Sequence, residues 1–175
     1  RNAFPMNLTD THCHLDFRNY DKDRPAVLNR AWKAGLEKIL IPGIDLGTSL
    51  AATNIAEDHS QIFVAVGVHP NSSITWDAGT LETLAPMAAH PKVAAIGEIG
   101  MDYYRDRAPR RLQKGIFKSQ LDLAKRLSLP VVIHIRNASP DDRSCIADVL
   151  SILKEWDSPL ENPGVIHSYS GNLIE

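Results

Sequence analysis

Asp10-Thr11-His12-Cys13-His14 sets two imidazoles two residues apart, directly after an apolar approach segment. Alternate residues of a β-strand share a face, so His12 and His14 could hold one metal ion while Cys13 turns into the packing layer. Taken alone, a pair of ordinary strand histidines explains the motif equally well. Further along, Glu98 ends the apolar run Ala95-Ile96 between Gly97 and Gly100. A buried carboxylate is costly without a partner, and a cation is the natural compensation; a Glu exposed at a strand end and paired with an Arg is the plainer alternative. His134 interrupts Val131-Val132-Ile133-His134-Ile135, and His167 follows Val165-Ile166. Each could be a satisfied core histidine, but recurrence of the pattern at several strand ends favours ligation.

Four histidines (His12, His14, His134, His167) and Glu98 are too many donors for one catalytic ion with an open position. A two-metal cluster is therefore expected, with Glu98 bridging through its two oxygens. Nitrogen donors suit Zn²⁺, Mn²⁺ or Fe²⁺ better than Mg²⁺, which favours oxygen shells; the expected cofactor is a pair of divalent cations, with Zn²⁺, Mn²⁺ and Mg²⁺ the candidates carried forward. Such a pair stabilises both the attacking and leaving oxygens of an in-line displacement. His69 and Arg136 are the expected substrate contacts. Arg136 lies two residues beyond His134, hence on its face, and a guanidinium suits phosphate. Pro70 turns the chain away just after His69, leaving that ring at the rim; a surface Arg and a loop His are the alternative. Asp102, Tyr103 and Tyr104 could line the mouth, Asp106 and Arg107 read as solvated pairs, and His59 and His90 lie away from the site at helix ends.

These residues must be positioned by a repeating scaffold. β-rich runs at Leu8 to His12, Lys38 to Ile41, Ile62 to Val68, Val93 to Ile96, Val131 to Ile135 and Val165 to His167 alternate with helical stretches. The helices are expected at Arg24 to Ala34, Thr48 to Glu57, Ala78 to Ala89, Arg110 to Leu127 and Pro140 to Trp156. Helix-length crossovers imply parallel strands, in an open doubly wound sheet or a closed barrel. An open sheet gathers its site at one switch point, whereas here the chemistry sits at many strand ends, as on a (β/α)₈ barrel. A complete ring typically needs about 250 residues, so this α/β chain reads as an incomplete TIM barrel of six units. Cut there, it would expose two strand edges. No Pro-, Gly- or Ser-rich linker divides residues 1–175, which read as a single domain.

The bulk properties narrow the function. Of the 175 residues 43% are hydrophobic, enough for one sizeable core. A net charge of −2 lacks the broad basic footprint of nonspecific duplex binders, so any nucleic acid must be held locally. The two cysteines, Cys13 and Cys145, make no disulfide framework and fit a reducing compartment. No run approaches the roughly 18 apolar residues of a membrane span, and a cytoplasmic location without membrane or obligate protein partner is expected.

Together Asp10 to Asp16, Gly67 to Pro70 (GVHP), Gly97 to Tyr104 (GEIGMDYY), Gln120 to Arg136 and Ile166 to Gly171 resemble, in order, the TatD-related deoxyribonuclease family of metal-dependent, amidohydrolase-like barrels. That resemblance implies divalent cations on the first His-x-His pair, Glu98, His134 and His167, and hydrolysis of phosphodiester or related esters, with DNA or a small phosphoester as substrate and exonucleolytic action expected. Family members also carry a metal-binding Asp after the eighth strand that acts on the attacking water. No residue here corresponds to it, so the intact protein is expected to be the hydrolase and this stretch alone inactive. The competing reading is an amidohydrolase-type enzyme cleaving an amide or imine; many of those use a carboxylated Lys on the fourth strand, where this chain has Glu98. A structural metal module would be closed and richer in Cys.

Overall fold

The computed structural model describes residues 7–171. Six strands, β1 (Leu8–Asp10), β2 (Leu36–Pro42), β3 (Ile62–Val66), β4 (Val93–Asp102), β5 (Val131–Arg136) and β6 (Gly164–His167), form one all-parallel sheet in sequential order. Five helices connect them: α1 (Arg24–Lys33), α2 (Leu46–Glu57), α3 (Thr80–Ala88), α4 (Arg110–Leu127) and α5 (Ser144–Glu155). Short 3₁₀ turns at Arg18–Tyr20 and Pro70–Thr75 supplement them. Each crossover returns the chain to the neighbouring strand, so the sheet curls into an incomplete barrel with helices outside.

Strand alternation divides the side chains. Ile39, Ile41, Val64, Val66, Ile96 and Ile133 face the helices and join the large core, with Leu84, Phe117, Leu121 and Val149. Ala65, Ala95 and Val132 form a second, smaller cluster with the partly buried Leu40 on the concave face. Short side chains there let the strands curl without crowding the barrel axis.

Several boundaries differ from the sequence expectation, each for a local reason. β1 stops at Asp10 instead of running to His12, because the Asp10 carboxylate accepts the His12 N–H at 3.1 Å and turns the chain. α2 starts at Leu46, two residues earlier than expected: Asp45 caps it in a reciprocal box with Thr48. α5 starts at Ser144, because Asp142 accepts from the backbone N–H groups of Ser144 and Ala138 and holds residues 137–143 as a loop. β4 runs six residues beyond its expected end at Ile96. Its glycines, read as a terminator, are instead where the strand is re-aimed. Ile96 pairs with Val131 and Ile99 with Ile133, so two residues of β4 oppose one of β5. That extra residue keeps Ile96 and Ile99 both on the helix side and leaves Gly97-Glu98 between them.

α4 is bound to the sheet by more than its apolar stripe. Gln113 and Gln120, seven residues apart on one helical face, are fully buried. Gln120 accepts the Val68 N–H at 2.7 Å and donates to the Val68 carbonyl at 3.0 Å. Gln113 does the same for Asp102, at 2.9 and 3.2 Å, and also donates to Ala108. Ser49 of α2 similarly holds Gly67. The segment carrying His69 and the end of β4 thus have their backbone groups satisfied by helix side chains, as buried peptide groups require.

Candidate metal centre

Glu98 sits at the middle of a ring of imidazoles. It is only 4% exposed and lies inside β4, not at a strand end as expected; the bulge turns it to the concave face. Its Oε2 is 3.3 Å from His12 Nε2 and 3.7 Å from His14 Nε2. Its Oε1 is 2.8 Å from His134 Nδ1 and 3.8 Å from His69 Nε2. One carboxylate therefore serves two groups of donors, His12–His14–Glu98 and His69–Glu98–His134. All these residues line a cavity of about 520 Å³ at the C-terminal ends of the strands.

His12 and His14 meet through the Asp10 turn and not through strand alternation. Cys13 N–H still reaches the Leu40 carbonyl, extending the pairing past β1 and sending Cys13 against the core. The two rings stand edge to face at 5.0 Å. Both Nδ1 atoms are buried without a hydrogen-bond partner. Burial, then the neighbouring His12, hold the His14 pKa down, and burial does the same to His167. His167 pairs with His134 across β5–β6, and its ring stacks on His12 at 3.6 Å, outside the two tight donor groups.

His134 lies between carboxylates. Its Nε2 is 3.3 Å from Asp102 Oδ2, opposite the Glu98 contact at Nδ1. Burial would lower its pKa, but hydrogen bonds to Asp102 and Glu98 outweigh that and raise it to about 9. Burial likewise opposes the charge of Glu98, yet hydrogen bonds from His12 and His134 keep it well below the usual carboxylate range. Asp102 is held low in the same way, against its burial, by His134 and the backbone N–H of Arg105. Close approach of β4 to β5 here depends on Gly100, at φ +131°, where a Cβ would collide with the His134 carbonyl.

Asp102, expected to line the mouth with Tyr103 and Tyr104, does line the cavity, from a fully buried position at the end of β4. Oδ1 accepts the N–H groups of Tyr104 and Arg105, and Oδ2 accepts from the Asn71 amide at 2.9 Å. Tyr103 is also buried, with its hydroxyl donating to Asp148 at 2.6 Å. Tyr104 alone of the three is exposed.

His69 is buried, 8% exposed, rather than standing at the rim. Its Nδ1 accepts the Asn71 N–H at 3.0 Å, so the proton of the neutral ring is on Nε2, which faces Glu98 across the cavity. Burial and the nearby His134 push its pKa down to about 4. A ring whose Nδ1 is an acceptor and whose Nε2 is protonated offers the cavity a donor, not a lone pair. Proximity alone would group His69 with the ligands; its hydrogen bond argues for a contact to substrate. Arg136, at the end of β5, is exposed, and its guanidinium lies 4.1 Å over the Tyr104 ring.

Sequence reasoning missed Asp102 as the partner of His134, together with Asn71, Gln113 and Gln120. For the glutamines a signal existed: both fall on the same stripe of α4 as Ile116, Phe117 and Ala124.

The donor set fits divalent cations. The Nε2 atoms of His12 and His14 converge on Glu98 Oε2, their Nδ1 atoms are buried without partners, and the His134 ring lies between the carboxylates of Glu98 and Asp102, a concentration of anionic oxygen that bound cations would offset.

Comparison with known proteins is decisive for family. The model of the TatD-related DNase family matches residues 9–175. The chain belongs to that family. It is 37% identical over 165 residues to an uncharacterized metal-dependent hydrolase of Bacillus subtilis, YabD, covering 94% of this chain and 62% of the relative. It is 36% identical over 163 residues to the 3'-5' ssDNA/RNA exonuclease TatD of a Rahnella species, covering 93% and 59%. Among solved structures, the TatD homologue YjjV of Escherichia coli superposes with a TM-score of 0.84 at 34% identity, covering 95% of this chain and 61% of that one. The TatD family hydrolase of Entamoeba histolytica gives 0.77 at 25%, covering 88% and 56%. The chain thus spans about three fifths of the length of the relatives it matches. Among the described residues, no helix is long and apolar enough to cross a membrane.

Proposed function

We propose that the protein hydrolyses phosphodiester bonds in nucleic acid, as a deoxyribonuclease acting on strand ends, with two divalent cations shared across Glu98. The observation that carries this reading is the division of one buried carboxylate between two donor groups, Oε2 toward His12 and His14 and Oε1 toward His134. Further support comes from the exonuclease relatives and from the arginines at the cavity, Arg105, Arg107 and Arg136. Cations held there supply Lewis acidity and activation of water for an in-line displacement at phosphorus.

The chain's own groups supply several parts of the site. His12, His14 and His134 offer ring nitrogens, and His167 stands against His12 as a further ligand. Asp102 and Asn71 fix the orientation of His134. His69 presents Nε2–H to a phosphate oxygen, and Arg136 neutralises the phosphate from the rim. The unpaired thiols Cys13 and Cys145 suit a reducing compartment, and the proposal places the enzyme in the cytoplasm.

The test incubates the intact protein that carries this chain, with Mn²⁺ or Zn²⁺, with end-labelled single strands and, in parallel, with a cyclic amide. Mononucleotide release that is abolished by a chelator and by Glu98→Gln is expected. Turnover of the amide alone, or nucleotide release undiminished in Glu98→Gln, overturns the reading.

A further inference from the structure

Beside α4, on the outside of the barrel, a groove of about 440 Å³ opens next to the 3₁₀ turn Pro70–Thr75. Its lining is mostly apolar, from Trp76, Pro109, Leu112 and Ile116, with Gly115 among them. Leu112 is 37% exposed. Ile74, two residues before Trp76, is 66% exposed, more than any other large apolar side chain among the described residues. Apolar surface gathered in this way marks a place where something docks. α4 packs on β4, with β3 and β5 on either side, so the groove lies in the middle of the arc and away from its outer strands β1 and β6.

The charges along α4 say what fits. On one flank Lys114, Lys118 and Lys125 pair with Asp148, Glu155 and Asp157, in and just after α5, at 2.7, 3.6 and 3.4 Å. Arg111 and Asp122 are different. Both are exposed, and neither side chain makes a hydrogen bond or ion pair among the described residues. Their separation along the chain is close to about three helical turns, so they lie on one line parallel to the axis, with Gly115 between them.

A helix with a cation at one end of such a line and an anion at the other complements an antiparallel copy of itself. A two-fold axis between Gly115 and Ser119 sets each Gly115 against Ser119 of the second copy and each Arg111 within one residue of its Asp122. This is the form of an isologous contact. Gly115 fits it as well. Glycine in a helix interior lowers helix stability relative to alanine, and a Cβ there would meet nothing within 4 Å of this chain, whereas one at Gly43, Gly97 or Gly100 would strike Ser49, Val132 or His134. The chain's own packing therefore does not call for glycine at 115; close approach of a second helix does.

We propose that this face of α4 docks a second copy of the chain, as an antiparallel two-fold dimer closed by two Arg111–Asp122 pairs, with Leu112 and Trp76 as apolar anchors. The contact lies behind the sheet and does not depend on the metal centre.

Sedimentation equilibrium of the intact protein that carries this chain tests it. A reversible monomer–dimer equilibrium is expected, and it weakens as salt screens the two ion pairs. Since the space at Gly115 is open, Gly115→Trp should keep the circular dichroism of the unaltered protein and sediment as a monomer. Arg111→Glu should weaken association about tenfold or more by setting like charges together. Combining it with Asp122→Arg should restore the dimer, a rescue that only pairing between copies produces. A protein monomeric at every concentration, a dimer undisturbed by Gly115→Trp, or a double charge exchange that fails to restore association overturns the proposal.

Discussion

Asp102 Oδ2 lies 3.3 Å from His134 Nε2, so the ring nitrogen that faces Glu98, Nδ1, is the one available to a cation. With a cation at Nδ1, as proposed, this would be the carboxylate–histidine–metal arrangement, in which an outer carboxylate fixes the tautomer and direction of a ligand. Asp102→Asn keeps the shape and removes the charge. Its expected effect is a loss of about 10- to 100-fold in affinity for Zn²⁺, read by calorimetric titration. Affinity equal to that of the unaltered chain would leave Asp102 a purely structural group.

His69 predicts the opposite pattern. Its Nδ1 is occupied by the Asn71 N–H, so the ring acts on substrate through Nε2–H. His69→Phe should leave metal affinity unchanged and lower the rate of strand cleavage by about 10²-fold, as removal of a single preorganised donor does. A parallel fall in metal affinity would make His69 a ligand. Nitrogen NMR of labelled histidine gives a direct check, with the His69 proton expected on Nε2.

Gln120 makes two hydrogen bonds to Val68 in a fully buried setting. Gln120→Leu leaves an amide and a carbonyl of Val68 without partners. At about 1–3 kcal/mol for each unsatisfied buried group, a loss of about 2–6 kcal/mol is expected. Urea denaturation should show a lower midpoint at an unchanged slope.

Asp148 contributes to acid sensitivity from outside the site. Burial opposes ionisation of Asp148, but hydrogen bonds from Lys114 and Tyr103 lower its pKa from the usual carboxylate value of 3.8. A depressed folded-state pKa adds stability above the unfolded value, and that stability disappears as the pH falls through the folded one. Since the Asp148 side chain is 33% exposed, the contribution is modest. Asp148→Asn should reduce stability near neutral pH and converge with the unaltered chain below pH 3.8. A constant difference across the whole range, followed by thermal melting, would remove Asp148 from the acid response.

Much of the fold was legible because apolar runs and helical stripes alternate with regular spacing. That pattern alone gives parallel strands, and the polar residues at several strand ends are what separate a sequentially ordered barrel sheet from an open one. His134 and His167 were legible as polar interruptions of apolar strands. Glu98 was found for its charge, but its place inside β4 was not, because a bulge has no composition of its own beyond the glycines that also end strands. Asp102 was hidden for a related reason. Once β4 was taken to end at Ile96, a carboxylate six residues later belonged to a loop and its burial had no cause. The pairing of His12 with His14 was expected on the right residues for the wrong geometry, since the Asp10 carboxylate ends the strand before either is reached. Tyr104 and Arg136 stand 32 positions apart in the sequence and meet only through the register of β4 with β5, which pairs Asp102 with Arg136.

The two glutamines of α4 also order events during synthesis. Val68 and Asp102 leave the ribosome before Gln120 and Gln113, respectively, so both are made before the side chains that will occupy their backbone groups. A nascent chain ending before α4 can pair its first strands, but the peptide groups beside His69 and Asp102 stay open to water. The face that carries the clustered histidines and Glu98 is thus closed from behind, by a helix synthesised after the residues it holds in place.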